Sequence, residues 1–261
     1  MTDMAGLGDP EAGAAYSPHI RRKRETRMRG FLQTAMRIIA ERGVDGLTLQ
    51  EVTSAHGISV GAIYRYFPSK DALIAELQRR IVHALSDAIA VCRDGADAWA
   101  ATAGLNARTR ALLRIAVAGP FYASYARDYP SEFGLIAKSL GDQHYLIEDR
   151  EARRIFTVSA GNFQGLAAPL ADAAEAGFLS PGNALERALI LWAGLHGLAQ
   201  LRKLNRLTPG LFHVETLIRQ LVETLLAGWG AEPGALAEVY DLIGKHDLGA
   251  CPAALFDDAL S

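Results

Sequence analysis

Cysteine is nearly missing: the 261 residues contain two, Cys92 and Cys251, far apart and in no CxxC pair. That argues against a disulfide framework or a thiolate zinc site, and a reducing cytoplasm is the expected setting. Long apolar runs are missing too. No stretch of about 18 residues is free of charges or helix breakers, so neither a membrane span nor a membrane partner is expected. The seven histidines make no HxxxH or HExxH pair. The chain also has no P-loop and no GxGxxG, so no metal and no cofactor is expected. Residues 1–16 are acidic and rich in Gly and Ala, without the basic-then-apolar layout of a secretory signal. Convincing period-2 alternation is absent, which leaves no sheet to expect.

What the chain does have is apolar content and helix punctuation. Half of its residues are hydrophobic and 21% are charged, a globular balance on a length that suits one large domain or two modest ones. The net charge of −2 is small but unevenly spread. Residues 20–70 carry ten Lys/Arg against four Asp/Glu, whereas residues 71–261 carry seventeen against twenty-two. A basic block on an otherwise acidic chain fits a segment that meets phosphates, although a solvated basic helix face has the same composition.

Residues 1–19, with Gly6, Gly8, Pro10, Gly13 and Pro18, read as a flexible tail. From Arg21 the pattern is helical: Phe31, Leu32, Ala35, Ile38 and Ile39 make one apolar stripe, and Gly43 stops it. Thr48 and Glu51 form a capping box for a short helix that ends at Gly57. Ser59 is placed to cap a second short helix reaching about Tyr66. After Pro68, Ser69 is placed to cap a long helix from Lys70 towards Cys92, with Asp71 in its first turn. Further helices are expected at about 99–118, 131–140, 143–177, 182–206 and 209–229. Ser180-Pro181 and Thr208-Pro209 read as caps followed by a first-turn proline. The fold class is all-α.

Two helices this short are marginal alone in water, so they need a tertiary reason to exist. A helix-turn-helix supplies it: residues 49–56 brace residues 59–66, which project into a major groove. Leu49, Val52, Ala55, Ile58, Ile63 and Phe67 are the expected packing set. That leaves Ser59, Val60, Gly61, Ala62, Tyr64, Arg65 and Tyr66 outside. An ordinary αα corner is the bland alternative. Gly57-Ile58-Ser59-Val60-Gly61 also satisfies the GxSxG pattern of serine hydrolases, but that motif needs a strand ahead of the serine, and a capped helix stands there.

Thr48 to Phe67, TLQEVTSAHGISVGAIYRYF, followed by Pro68-Ser69-Lys70, resembles the DNA-binding signature of the TetR (tetracycline repressor) family. The resemblance takes in the preceding helix and the start of the fourth. It implies a transcriptional regulator, not an enzyme, with an N-terminal three-helix DNA-binding domain and a larger helical domain for ligand binding and dimerisation. Carried over position by position, it implies phosphate contacts at Thr48, Tyr64 and Lys70. Base-reading positions fall at Gln50, Val60, Gly61, Ala62 and Tyr66, with Ser59 and Arg65 beside them. Trp192-Ala193-Gly194-Leu195-His196-Gly197 is similar to a TetR C-terminal subgroup named for a tryptophan–histidine–glycine motif, although a packed helix face explains Trp192 and His196 more simply than a pocket role does.

The resulting expectation is a homodimeric repressor on a palindromic double-stranded operator, released by a small, mostly apolar effector. Phe121, Tyr122, Tyr125, Phe133, Phe156, Phe163, Trp192 and His196 are candidate pocket residues, or else core. Leu189, Trp192, Val214, Leu217, Ile218, Leu221, Leu225 and Trp229 are candidates for a two-fold interface, with burial inside one chain as the alternative. The expected divisions are a tail (1–19), a DNA-binding domain (20–69, motif 48–67), a ligand and dimer domain (70–230), and an extension (231–261) with room for one more helix. A DNA-binding regulator without an effector, and a helical enzyme that carries the motif, are the other classes left open.

Overall fold

A computed structural model of the chain describes residues 18–141, 163–202, 207, 210 and 213–252. Among these the architecture is helical with no strand. The expected tail up to residue 17, much of the helix expected at 143–177, and the Thr208-Pro209 cap lie outside the described residues. Helix α1 (Pro18–Arg42) ends where Gly43 takes a φ of 75° and its amide reaches back to the Ile39 carbonyl at 2.8 Å. A 3-10 turn (Val44–Gly46) leads to α2 (Leu49–Ala55) and α3 (Val60–Ile63). The expected stripe of α1 is buried throughout, and Leu47, Val52, Ile63 and Phe67 close over it. Each such side chain contributes about 1.5–3 kcal/mol on full burial, enough to hold helices that would not form alone. Ala55, expected in this set, is exposed, and Ile58 is half-buried.

Helix α4 (Lys70–Thr102) is one unbroken rod of 33 residues, where a break after Cys92 was expected. Gly95 is exposed and would meet nothing if it carried a Cβ, while Ala88, Ala96 and Ala100 of the same rod are buried. Packing of that alanine face outweighs the ~1 kcal/mol that a mid-helix glycine costs. The rod stops at Gly104, φ 68°. Asn106 then caps α5 (Ala107–Ala116) by accepting from the Thr109 amide at 3.0 Å. Helix α6 (Ala118–Asp128) follows after one residue, with Pro120 in its first turn, where no amide bond is lost. Next come α7 (Pro130–Gly141), α8 (163–175) and α9 (Ala184–Gln200).

The cap of α9 is Asn183, which accepts from the Leu185 and Glu186 amides, and not Ser180 as expected. Ser180 instead donates its amide to the Trp229 carbonyl at 2.7 Å, tying this loop to the end of α10 (Val214–Gly228). Helix α11 (Pro233–His246) fills the expected place for one more helix. It buries Leu236, Val239, Tyr240 and Ile243 against the body, packing on α5.

Candidate nucleic-acid interface and ligand cavity

Thr48 caps α2: its hydroxyl accepts from the Glu51 amide at 3.2 Å and donates to the Glu51 carboxylate at 2.9 Å. Arg42 holds the other oxygen of that carboxylate at 2.6 Å. The Arg42 guanidinium, with the Thr48 hydroxyl second, keeps the Glu51 carboxyl below the ordinary range, so this knot is charged at neutral pH. At the far end of α2, His56 donates from Nε2 to the Gly30 carbonyl at 3.1 Å and sets its ring edge-on to Phe31, with centroids 4.9 Å apart. Helix α2 is thus clamped to α1 at both ends. Gly57 makes the turn with a φ of 61°, a left-handed conformation that costs a side-chain-bearing residue about 1–2 kcal/mol.

Helix α3 stands on this brace through Ile63, which is fully buried, and Phe67 just beyond it. Ser59 is the residue before the helix, yet its side chain makes no cap bond. Ser59, Val60, Gly61, Tyr64 and Arg65 are exposed, and Ala62 is half-buried. Tyr64 is 52% exposed. Tyr66, expected among the base-reading positions, is less exposed than Tyr64. It is half-buried, edge-on to Phe31 at 5.2 Å between centroids, with the Arg24 guanidinium 5.8 Å over its ring. Lys70 opens α4 immediately after the Ser69 cap, whose hydroxyl accepts from the Ala72 amide at 3.0 Å. Gln50 is exposed on α2.

The C-terminal body holds a partly open cavity of about 100 Å³ between α4, α5, α6, α8 and α9. Phe121, Tyr122, Phe163 and Trp192 line it, as do Leu85, Ile89 and Leu195. Two cations also reach it: Arg93, which donates to the Gly165 carbonyl at 2.9 Å, and Arg114, paired with Asp172 at 3.2 Å. Behind the cavity, Tyr122 and His196 share a buried hydrogen bond of 2.7 Å to Nδ1. His196 Nε2 is buried and has no partner among the described residues. Burial holds the His196 pKa below its ordinary value. Tyr125 and Phe133 are buried against Tyr122, at 6.0 and 6.2 Å between centroids, so they are core and not cavity wall. Phe156 lies outside the described residues.

Residues 31–77 match the family model for bacterial regulatory proteins of the tetR family, and residues 115–225 match the tetracyclin repressor-like C-terminal domain. The chain belongs to the TetR family. The HTH-type transcriptional regulator BetI of Burkholderia thailandensis is 33% identical over 102 residues, 38% of this chain and 46% of that protein. The chain spans less than half the length of the curated relatives it matches. Among solved structures, a protein of unknown function from Rhodococcus sp. RHA1 is similar at a TM-score of 0.60 and 24% identity, over 77% of this chain and 94% of that one. FadR of Bacillus subtilis in complex with stearoyl-CoA is similar at a TM-score of 0.55 and 14% identity, over 76% and 97%. These likenesses carry the TetR fold.

In this TetR chain the Trp192–His196 pair is a stacked couple, 5.3 Å between centroids, with Trp192 facing the cavity and His196 behind it. The expected dimer stripe divides. Val214 and Ile218 are fully buried, and the α6 backbone at Gly119 lies close enough that a Cβ there would touch Ile218 at 3.4 Å. Those two residues serve the monomer's own α6–α10 contact, which corrects their placement at a two-fold surface. Trp192, Leu217, Leu221, Leu225 and Trp229 are half-buried, and Leu189 remains 40% exposed with Leu185 and Ile190 beside it. The sequence reading missed Arg93, Arg114 and His56. The basic excess lies in residues 20–70 and so pointed to neither Arg93 nor Arg114, and nothing in spacing joins those two.

Proposed function

We propose that this TetR regulator is a homodimeric repressor that grips a palindromic operator and releases it when a small molecule fills the C-terminal cavity. Residues 20–69 form the DNA-binding part, 70–230 the ligand and dimer part, and 231–261 extend the latter. The observation that carries the DNA half is an exposed recognition helix standing on a brace clamped at both ends. Base edges meet Gln50, Ser59, Val60, Gly61, Ala62 and Arg65, where small side chains permit close approach and a thymine methyl meets Val60. Tyr64 and Lys70 take phosphates, and Thr48 adds a backbone contact through its capped helix start. A two-fold dimer suits the task because half-sites repeat at about 34 Å.

Support for the ligand half comes from the cavity's apolar walls, and from a similar fold, FadR, having been solved with stearoyl-CoA bound. Arg93 and Arg114 favour an apolar molecule with an acidic end. The remaining apolar surface of α9 and α10 around Leu189 and Leu225 is the dimer face. Genomic footprinting with purified protein identifies the operator. On it, Lys70→Ala lowers the slope of log affinity against log salt by about 0.9 for each phosphate that the lysine neutralises. An unchanged slope removes the phosphate assignment, and compounds that raise the melting temperature without weakening operator binding remove the switch.

A further inference from the structure

The basic block begins well before the recognition helix. The first turns of α1 carry Arg21, Arg22, Lys23, Arg24, Arg27 and Arg29, with Glu25 as the sole acid among residues 18–30. Glu25 is already engaged: Arg80 of α4 binds it at 2.6 Å and Arg29 lies 3.7 Å away. This anchors the exposed end of α1 as a fixed helix. A second anchor points towards the DNA-facing side. Arg24 donates to the Arg65 carbonyl at 3.4 Å and lies over the Tyr66 ring, so it abuts the exit of the recognition helix.

At about 100° per residue, Arg21 and Arg27 fall within roughly 60° of Arg24 on the helix wheel, three residues to either side. Phe31, which meets Tyr66, lies on the same side. Arg22 falls on the opposite side and Lys23 well away. All five of these cations are exposed. We infer that Arg21, Arg24 and Arg27 form a second phosphate-binding element, continuous with α3, that grips the DNA backbone beyond the groove the recognition helix enters.

The stripe's charge is not neutralised within the chain. Among the described residues no ion pair is formed by Arg21, Arg24 or Arg27. The partner is the backbone of the same duplex, because the stripe shares an edge with the α3 surface through Arg24, Arg65 and Tyr66. The inference rests on the DNA-binding reading, and its test separates the two. Full-length protein is titrated with a random-sequence DNA duplex over a range of salt. Arg21→Ala/Arg27→Ala lowers the salt slope by about 1.8 per protomer engaged, while Arg22→Ala/Lys23→Ala, which removes the same charge, leaves it close to wild type. Footprints on the operator also shorten at their outer edges for the first pair alone. Equal effects from both pairs, or none from Arg21→Ala/Arg27→Ala beside a normal Lys70→Ala response, overturn the inference and leave the regulator reading standing. Failure of the wild-type protein to bind duplex DNA overturns both. Circular dichroism melts of each variant establish that the fold is intact.

Discussion

Ser59 and Ser69 both stand at helix starts, and sequence rules treat them alike. Only one makes the bond. Ser69 accepts from the Ala72 amide at 3.0 Å and is half-buried, whereas the Ser59 side chain makes no cap bond. Ser69→Ala therefore strips an acceptor from one of the first amides of α4 and costs about 1 kcal/mol, the usual loss for a capping hydroxyl. Ser59→Ala removes an exposed hydroxyl without a folding partner and stays within about 0.5 kcal/mol. In a chain of this size 1 kcal/mol moves the melting temperature by about 2–4 °C. Urea denaturation at fixed protein concentration measures the pair directly, and amide exchange at Ala72 speeds up about fivefold in Ser69→Ala if opening there is local. DNA binding runs the other way, with Ser59→Ala losing affinity while remaining as stable as wild type. Equal stability losses in the two variants would refute the claim that the bond, and not the residue type, sets the energy.

Gly194 of α9 lies under Leu221 of α10, where an added Cβ would come within 2.6 Å of a leucine methyl. Gly194→Ala forces either the Leu221 side chain or the helices to shift and is expected to cost about 1–3 kcal/mol in urea denaturation, and Leu221→Ala made in the same chain recovers part of it. His196 gives a pH dependence whose sign is fixed by its depressed pKa. The unfolded chain takes up the proton first, so this contribution is fully present above the ordinary histidine value of 6.5 and is lost as pH falls through the folded value. Melting temperature should therefore drop on acidification from about pH 7, and His196→Gln, which can still hydrogen-bond Tyr122 but cannot titrate, should flatten that part of the profile. A His196→Gln profile parallel to wild type would count against the buried neutral ring.

Local rules worked where a local cause was sufficient. The stripe from Phe31 to Ile39, the Thr48–Glu51 box and the Gly57 turn were each legible because periodicity, a capping hydroxyl and a left-handed glycine act within a few residues. They failed where distant packing decided. The helix expected to end near Cys92 runs on to Thr102, because Ala96 and Ala100 beyond it are buried against the body. Ser180-Pro181 reads as a cap until Trp229 takes the Ser180 amide. An amphipathic stripe also cannot say which neighbour it meets, and so Val214 and Ile218 looked like dimer surface when their partner is α6. The candidate interface was legible in its exposed residues but not in its supports, since His56 and Arg24 act through contacts with residues far along the chain.

The unbroken α4 has a mechanical consequence. It begins one residue after the Ser69 cap, beside the α3 exit, and its Ile89 lines the cavity. At 1.5 Å per residue, Lys70 and Ile89 are about 28 Å apart along one stiff axis. With no flexible joint between them, a tilt of about 5° at the cavity end swings the other end by roughly 2.5 Å, close to the length of a hydrogen bond. A lever of this length would turn a sub-ångström rearrangement around a guest molecule into a misfit at the base pairs.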